Sequence, residues 1–497
     1  MDGRTWTLVL NTLLLSGATC AISVPLGTAL AWLLVRTDLP GRRIGLILLG
    51  VLLFVPLYLQ SAAWQAGFGL QGWHTLIYQA PVWLEGWTGA IWVHTVASVP
   101  WVVLIVGGGL WLVRPELEEQ ALLDGSPGQV LLSVTLCSAL PAVAMATLWV
   151  AIVTAGEITV TDLFVVRTYA EEVYTRFAVG QQPGEASLGA LPGVITTVFL
   201  VAAGLLLAAR LAPGERPVSL RPRWVFGLGC WRVPAALLVG AMFLLLIAVP
   251  LGNLFYKAGV LVMQTDTGRV RTWSAWKCLA IIASSPWLYR REFGYSLGIG
   301  ILAATGAVAA AIFLAWPARS GGLRALPALL ITGLCLAVPG PVVGLAIIWL
   351  LNRPGCGVLV WLYDRSILGP WIALLVAALP LTTLIMWHAL RTVPAQMLES
   401  AATEGAGPLV RLVRIALPCR WPALGLSWLV ALALALADLD ASILAVPPGV
   451  TTLSIRIFGL LHYGVEDQVA GICLALVGLF TLVALAVGHL AKRWREG

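Results

Sequence analysis

Long apolar runs separated by short polar gaps dominate the pattern of this chain. Each run holds about 20 or more residues, enough to cross a hydrocarbon layer roughly 30 Å thick at about 1.5 Å per helical residue. Helices are the expected spanning structure, because they satisfy every backbone polar group within the segment. The runs lie at residues 7–35, 46–68, 89–113, 137–157, 189–210, 228–252, 294–316, 325–351, 367–390, 419–445 and 468–491. The pattern therefore predicts an all-α polytopic membrane protein with about eleven transmembrane helices.

Composition supports this prediction and excludes other classes of protein. Hydrophobic residues make up 60% of the chain and charged residues 11%, whereas charged residues run near 25% in soluble proteins. The net charge of +7 comes from basic residues dispersed among short loops, so we expect no nucleic-acid partner. The eight cysteines are scattered without metal-ligand spacing, so we expect no metal site.

The polar gap at 391–418 holds the most informative motif. It consists of Glu399, Ser400, Ala401, Gly405, Ile415, Leu417 and Pro418. The residues before Gly405 predict a short helix whose small alanines permit close approach of a partner. The glycine permits a backbone angle that a side chain would penalise. Pro418 begins the next span, where its missing N–H costs little, and Glu399 is available to pair with a basic residue of the partner.

A degraded copy of this motif lies about 280 residues earlier, in the gap at 114–136. Its residues are Glu119, Gln120, Ala121, Gly125, Val134, Thr135, Leu136 and Cys137. Gln120 replaces an alanine, Cys137 replaces the proline, and one residue is missing after Gly125. An ordinary amphipathic connector is the alternative interpretation of either gap, and it is stronger for this copy.

Other short matches recur along the chain at an offset of about 280 to 284 residues, which predicts an internal duplication. They pair Leu30-Ala31-Trp32 with Leu314-Ala315-Trp316, Val55-Pro56 with Val338-Pro339, Pro100 with Pro380, and Pro141-Ala142 with Pro422-Ala423. The predicted halves are 1–212 and 294–497, with five spans each. The linker between them, 213–293, holds an extra span at 228–252. That span returns the chain to the outside, which allows two parallel halves.

In its spacing, Glu-x-Ala-x3-Gly-x9-Ile-x-Leu-Pro, the second gap resembles the docking loop of permease subunits of binding-protein-dependent ABC importers. The resemblance implies a MetI-like permease fold. It also implies two loops that dock onto ATP-binding subunits, coupled unequally because the first copy is degraded. The docking residues so implied are Glu119, Ala121, Gly125, Glu399, Ala401, Gly405, Ile415, Leu417 and Pro418.

Within that family, the chain looks closest to the fused-duplicate ferric iron permeases, with the thiamine permeases as near relatives. This narrower likeness is based on Leu30-Ala31-Trp32, residues 36–43, Ala155-Gly156-Glu157 and residues 447–453. It implies ferric iron as the substrate, with thiamine or another small solute as the alternative.

The same resemblance implies the partners of the chain. They are two ATP-binding cassette subunits on the cytoplasmic side, an external substrate-binding protein and the lipid bilayer. The sequence contains no G-x-x-x-x-G-K-[ST] motif and no nucleophile or metallohydrolase motif. We therefore expect a transport subunit that is not an enzyme and binds no cofactor, with ATP and Mg²⁺ used by the partners. An ion-coupled secondary transporter and a membrane-embedded lipid-processing enzyme are the alternatives, and the scarcity of charge inside the spans argues against the enzyme.

The distribution of Lys and Arg predicts the orientation. The positive-inside rule places the C-terminus in the cytoplasm of a bacterial inner-membrane protein, and both docking gaps then face the cytoplasm. An odd number of spans places the N-terminus outside. A start site assigned too late relative to a twelve-span form would look the same.

Acidic residues end two matching spans. Their pattern gives five candidate pathway residues, Glu157, Thr161, Asp438, Asp440 and Ser442. Glu157 matches Asp438, and Thr161 matches Ser442, at the same offset as the repeat. A carboxylate near the end of a span is costly and usually faces a polar cavity or a partner. Capping of helix ends is an equally open interpretation.

Prolines and histidines inside the spans are interpreted as structural. We expect the prolines to kink spans or mark bends. They are Pro25, Pro56, Pro100, Pro339, Pro341 and Pro380. His94 and His388 are interpreted as core histidines rather than ligands.

Overall fold

The computed structural model describes residues 3–178, 192–199, 202, 225–265, 268–353, 355–464 and 467–496. The chain divides into two compact units. Unit 1 comprises Met1–Glu172, Ile195–Ser285 and Leu460–Ala475, and unit 2 comprises Val173–Val194, Pro286–Gly459 and Leu476–Gly497. The halves at 1–212 and 294–497, which were inferred from the sequence repeat, stay a prediction.

Unit 1 is built on three long helices that pack against one another. Its first nine helices are α1 (Gly3–Arg36), α2 (Arg42–Leu52), α3 (Leu57–Phe68), α4 (Trp73–Tyr78), α5 (Gly86–Trp111), α6 (Pro115–Asp124), α7 (Pro127–Val130), α8 (Leu136–Gly156) and α9 (Thr159–Leu163). The next helix, α10 (Tyr169–Ala178), continues into unit 2. The later helices of unit 1 are α11 (Arg232–Phe243), α12 (Val249–Gly259) and α13 (Ala275–Leu288). Helices α1, α5 and α8 form the core, and α12 packs on α3. An antiparallel hairpin of β1 (Val260–Thr265) and β2 (Gly268–Trp273) follows α12.

Unit 2 repeats the three-helix core. Its helices are α14 (Arg290–Ala318), α15 (Leu326–Ala337), α16 (Gly340–Leu351), α17 (Gly357–Arg365), α18 (Leu368–Arg391), α19 (Ala395–Thr403), α20 (Pro408–Arg411), α21 (Leu417–Cys419), α22 (Trp421–Ala437), α23 (Ser442–Ala445) and α24 (Leu453–Leu461). The last helix, α25 (Asp467–Glu496), contributes residues to both units. Helices α14, α18 and α22 pack against one another. Each unit also has a π-helical turn at the same place before its last core helix, at Leu131–Thr135 and at Leu412–Ala416.

The described helices confirm an all-α polytopic membrane protein. Within the described residues, seven helices are long and apolar enough to cross a membrane, and three bent pairs raise that number to as many as ten. These ten correspond to ten of the eleven predicted spans, including the extra span, which occupies Gly229–Gly259. The predicted span at 189–210 lies largely outside the described residues.

Two predicted spans, 46–68 and 325–351, are not straight. The chain bends by 103° before Leu57 and by 105° before Gly340, so each run forms two half-length helices. Pro56 and Pro339 stand at these breaks, because proline lacks an N–H and disfavours the helical conformation of the preceding residue.

The other prolines behave differently. Pro25, Pro100 and Pro380 lie inside α1, α5 and α18, which run through them without a break. Neighbouring helices and local adjustments satisfy the freed carbonyl groups in such membrane helices. Bends are therefore confirmed at Pro56 and Pro339, whereas a kink within the helix at Pro25, Pro100 or Pro380 stays a prediction.

The predicted span at 419–445 coincides with a helix at its start but extends beyond the end of that helix. The helix begins at Trp421, after a bend of 84°, and ends at Ala437. Pro418 and Pro422 together interrupt the hydrogen bonds at its start. In unit 1, where Cys137 replaces the first of these prolines, the helical segment from Pro127 to Gly156 is continuous.

Candidate functional site

The second docking loop, residues 391–418, has the left-handed turn that Gly405 predicts. Helix α19 ends in a Schellman motif, in which the Ala406 N–H donates to Ala401 O (2.9 Å) and the Gly405 N–H donates to Ala402 O (3.0 Å). Gly405 has φ +86°, which is the left-handed region that glycine adopts without a steric penalty. The turn directs the chain into α20 and fixes the end of α19.

The outer face of this loop is exposed and partly apolar. Leu398 is the buried residue of α19, whereas Glu399 is exposed and Ala401 is half-buried. After the turn, Leu409 and Val413 are 67% and 53% exposed. Together with Glu399, these side chains form the exposed face of the loop. Sequence reasoning missed Leu409 and Val413, although apolar side chains in a polar gap are a signal for such a face.

The last three motif residues differ in their placement. Ile415 and Leu417 are half-buried and pack against an apolar cluster that includes Leu390 and Leu398, whereas Pro418 is exposed. Ile415 and Leu417 therefore attach the loop to its own unit. Arg420 closes the loop, since its Nη2 donates to Thr392 O at 2.6 Å.

The first docking loop has a different turn. Glu119 is exposed and Ala121 is half-buried, as at the matching positions of the second loop. Gly125, however, has φ −141° and ψ 163°, an extended conformation that any residue adopts. The next helix starts at once, with the Ser126 N–H donating to Gln129 Oε1 at 2.9 Å. The residue missing after Gly125 accounts for the absence of a left-handed turn at this position.

The acid of unit 1 caps a short helix. Glu157 is buried and follows α8, and both of its carboxylate oxygens lie 3.0 Å from the donating N–H nitrogen of Val160 in α9. Thr161 Oγ1 donates to the Glu157 carbonyl oxygen at 3.1 Å. The predicted pair of Glu157 and Thr161 is therefore brought together by one tight turn.

The acid of unit 2 makes the same arrangement. Asp438 Oδ2 accepts the N–H of Ser442 at 3.1 Å, and Ser442 Oγ donates to the Asp438 carbonyl oxygen at 3.4 Å. Asp440 lies against the start of α16, where a Cβ on Gly340 would come within 2.5 Å of the Asp440 Cβ. The hydrogen bonds are those of the capping alternative, and a role in the pathway stays a prediction.

One neighbour distinguishes the two acids. His94 is buried in α5, and its Nε2 lies 3.5 Å from Glu157 Oε2. The matching position in unit 2 is Leu374, at the offset that pairs Pro100 with Pro380. The sequence did not indicate this contact, because a lone histidine on an apolar helix carries no signal for its partner.

An open pocket of about 430 Å³ lies beside α9, at the end of unit 1 where α5 begins. Its lining includes Glu85, Asp162 and His462, and His462 Nε2 lies 2.9 Å from Asp162 Oδ2. The first docking loop lies at the opposite ends of the same core helices. In the predicted orientation, the pocket therefore opens to the outside. Within the described residues, no group of three or more His, Cys, Asp or Glu side chains is placed to hold a metal ion.

The capping geometry makes a prediction about Glu157. In Glu157→Gln the amide oxygen still accepts the Val160 N–H, so we expect thermal stability in detergent within about 1 kcal/mol of wild type. In Glu157→Leu that buried N–H loses its acceptor, and we expect a loss of about 1–3 kcal/mol. Asp438→Asn and Asp438→Leu form the matched pair in unit 2. Equal losses for the Gln and Leu variants would contradict the capping role.

Comparisons with known proteins relate parts of this chain to permease proteins of transport systems. No family model matches the chain. The putrescine transport system permease protein PotI of Escherichia coli K12 is 29% identical over 204 residues, which are 40% of this chain and 72% of PotI. The putative 2-aminoethylphosphonate transport system permease protein PhnV of Salmonella typhimurium is 31% identical over 104 residues, 21% of this chain and 39% of PhnV. The spermidine/putrescine transport system permease protein PotC of E. coli K12 is 26% identical over 133 residues, 26% of this chain and 50% of PotC.

The fold defines the class as an all-α multi-pass membrane protein. The relatives that it resembles are permease subunits of transport systems rather than enzymes. At the level of the family, they support the resemblance to permease subunits of ABC importers. The narrower likeness to ferric iron and thiamine permeases stays a prediction, because the names of these relatives concern other solutes.

Proposed function

We propose that this chain forms the solute pathway of an ATP-driven importer and couples it to separate ATP-binding subunits through its two docking loops. The second docking loop supports this proposal most directly. Its helix is attached to unit 2 through Leu398 and presents Glu399 to the solvent, with apolar side chains following the Gly405 turn. A partner that binds this face can therefore move unit 2 through the fixed end of α19.

Coupling in this proposal is mechanical. Two ATP-binding subunits close and open as they use ATP and Mg²⁺, and the loops transmit that movement to the core helices. The chain then alternates between two arrangements, which is the behaviour required of coupling between distant sites. A substrate-binding protein delivers the solute at the opposite face, and the C-terminus lies in the cytoplasm.

We further propose that the chain carries two permease halves in one polypeptide, with ten core spans and the extra span between them. The recurrence of elements supports this: both units contain a helix pair bent by about a right angle, a π turn and an acid that caps a short helix. The alignment with PotI also supports it, because the same residues make up 72% of that relative but 40% of this chain.

Two classes of substrate compete within this proposal. The sequence motifs favour ferric iron. The relatives favour a small solute with an ammonium group, since putrescine, spermidine and 2-aminoethylphosphonate all carry one. Glu157 and Asp438 would attract ferric iron or an ammonium group from positions near the ends of their spans. Thr161, Asp440 and Ser442 would then add polar groups to the same stretch of the pathway.

Uptake by intact cells tests the proposal. Cells that lack their own ferric iron and polyamine importers receive this gene together with its chromosomal neighbours, and radiolabelled ferric iron, putrescine and thiamine are offered in turn. We expect uptake that stops when arsenate depletes ATP and persists when an uncoupler collapses the proton gradient. Uptake that stops with the uncoupler while ATP is maintained would instead identify an ion-coupled secondary transporter.

The exposed acid of the second loop gives a sharper test in the same cells. Glu399→Arg should lower uptake at least about tenfold, because it places a positive charge against a basic partner. Glu399→Gln, which removes the charge without reversing it, should lower uptake less than about threefold. Both variants should reach the membrane at wild-type levels, since the side chain is exposed. Wild-type uptake by the Arg variant would contradict docking through this face.

A further inference from the structure

Each docking helix is attached to its own unit through a matching buried side chain, but the chemistry of the two attachments differs. In α6 the buried residues are Pro115 and Glu118, and in α19 the buried residue is Leu398. Glu118 and Leu398 are related by the offset that relates the two docking motifs. One helix is therefore held by a charge, and the other is held by an apolar side chain.

Glu118 uses both carboxylate oxygens inside the protein. Its Oε2 accepts a hydrogen bond from Arg36 Nη2, and its Oε1 accepts a hydrogen bond from Thr135 Oγ1 at 2.7 Å. Arg36 Nη1 donates to Leu110 O at 3.3 Å. Arg36, Glu118 and Thr135 are all fully buried. The network therefore ties α6 to the end of α1, to the end of α5 and to the π turn before α8.

The second loop has an apolar contact at the same place. Leu398 packs with Leu390, Val393, Leu412 and Ala416. Ala416 ends its π turn, as Thr135 ends the π turn of the first loop. An apolar attachment is thus sufficient to hold a docking helix in this fold, and a buried ion pair is not needed for stability.

A buried ion pair is a poor way to stabilise a protein, because removing two charges from water offsets most of their attraction. It is a good way to fix an orientation, because each hydrogen bond is directional. With both Glu118 oxygens engaged, rotation of α6 about its axis would break a buried hydrogen bond. The network thereby holds Glu119 and Leu123 toward the solvent, where Leu123 is 85% exposed.

We propose that Arg36, Glu118 and Thr135 are positioning residues of the first docking helix, which keep this degraded loop in use as an ATPase contact. This inference rests on the proposed function. The three residues compensate for what the first loop lacks, namely the left-handed glycine turn that fixes the second loop. They also transmit a displacement of α6 directly to α1, α5 and α8.

Hydrogen exchange on the full-length protein in lipid nanodiscs tests the positioning, and it needs no partner protein. Arg36→Met and Glu118→Leu each leave a buried charge unpaired. In both variants we expect exchange in residues 115–124 to rise at least about tenfold, and exchange in residues 395–403 to stay within about twofold of wild type. The control is Arg43→Met, which removes an exposed arginine shortly after the end of α1. It should leave the exchange of both segments unchanged.

A combined variant keeps the proposal falsifiable if the single variants do not fold. Arg36→Met/Glu118→Leu/Thr135→Ala gives the first loop the apolar attachment of the second, and we expect it to restore folding and most of the protection of residues 115–124. Unchanged exchange in the single variants would overturn the positioning role. A rise spread equally over both loops would overturn it too, because that is the signature of general unfolding.

Uptake in the same cell assay separates this inference from the proposed function. We expect Glu118→Leu to lower uptake at least about tenfold and the combined variant to recover at least about a third of it. Wild-type uptake by Glu118→Leu, despite raised exchange, would show that the first loop is not a working contact. Absence of ATP-dependent uptake in the wild type would overturn the proposed function, whereas the exchange result would still decide the positioning.

Discussion

We expect replacement of Gly405 with valine to lower uptake by the proposed importer to less than about a tenth of wild type, while leaving the protein inserted in the membrane. Gly405 adopts φ +86° in the Schellman turn that ends α19. The left-handed conformation costs a non-glycine residue roughly 1–2 kcal/mol, and a β-branched side chain increases that cost. Since 1.4 kcal/mol is about a factor of ten in an equilibrium, the ratio of the native turn to competing conformations falls at least about tenfold.

Two variants separate backbone conformation from side-chain size at this turn. Asparagine tolerates the left-handed region, so Gly405→Asn should keep more than about half of wild-type uptake. Gly125→Ala is the matched change in the first loop. Its backbone is extended and the nearest atom to an added Cβ is 3.4 Å away, so uptake should stay within about twofold.

The measurement is initial uptake rate divided by the amount of protein in the membrane. The ranking Asn above Ala above Val at position 405 is the expected signature. If Gly405→Val transports like the wild type, the left-handed turn has no role in coupling. If Asn and Val are equally inactive, crowding by any side chain is the cause, rather than the backbone angle.

We expect replacement of Gly27 with leucine to disrupt the core of unit 1. A Cβ on Gly27 would come within 2.5 Å of both Cβ and Cγ1 of Val102, so α1 and α5 are in close contact at this glycine. Small residues permit such approach between membrane helices. Overpacking of this kind costs about 1–3 kcal/mol, and we expect the upper end of that range because the Val102 Cβ moves only with its backbone.

Gly17→Leu is the control in the same helix. Gly17 is exposed and nothing lies within 4 Å of an added Cβ, so its thermal midpoint in detergent should match wild type or exceed it slightly. The double variant Gly27→Val/Val102→Gly moves the larger side chain to the facing helix. It should recover part of the lost stability, because the effects of substitutions at contacting sites are not additive. A stable Gly27→Leu protein would show that the two helices separate without cost.

The positions of the spans could be predicted from sequence because apolar length is a local property. Ten of the eleven predicted runs coincide with described helices or bent helix pairs. The bends were harder to predict from sequence, because Pro56 breaks its span whereas Pro100 lies in a continuous helix. Whether neighbours satisfy a freed carbonyl depends on packing that a single segment does not encode.

The candidate site was predictable where residues act close to their own place in the chain. Glu157 and Thr161 meet within one turn, and the glycine turn of the second loop follows from a short motif. The contact of Arg36 with Glu118 joins residues 82 positions apart, and no periodicity marks either one. His94 beside Glu157 was missed for the same reason. Such pairs become visible only after the helices are packed.

The unequal attachments of the two docking helices give them opposite responses to temperature. The apolar contact of Leu398 weakens on cooling, because the hydrophobic contribution to stability becomes smaller as the temperature is lowered. The ion pair of Arg36 and Glu118 gains relative strength on warming, as the cost of removing its charges from water declines. Cooling therefore weakens the attachment of the second docking helix more than that of the first, and the two attachments should differ most in strength at low temperature.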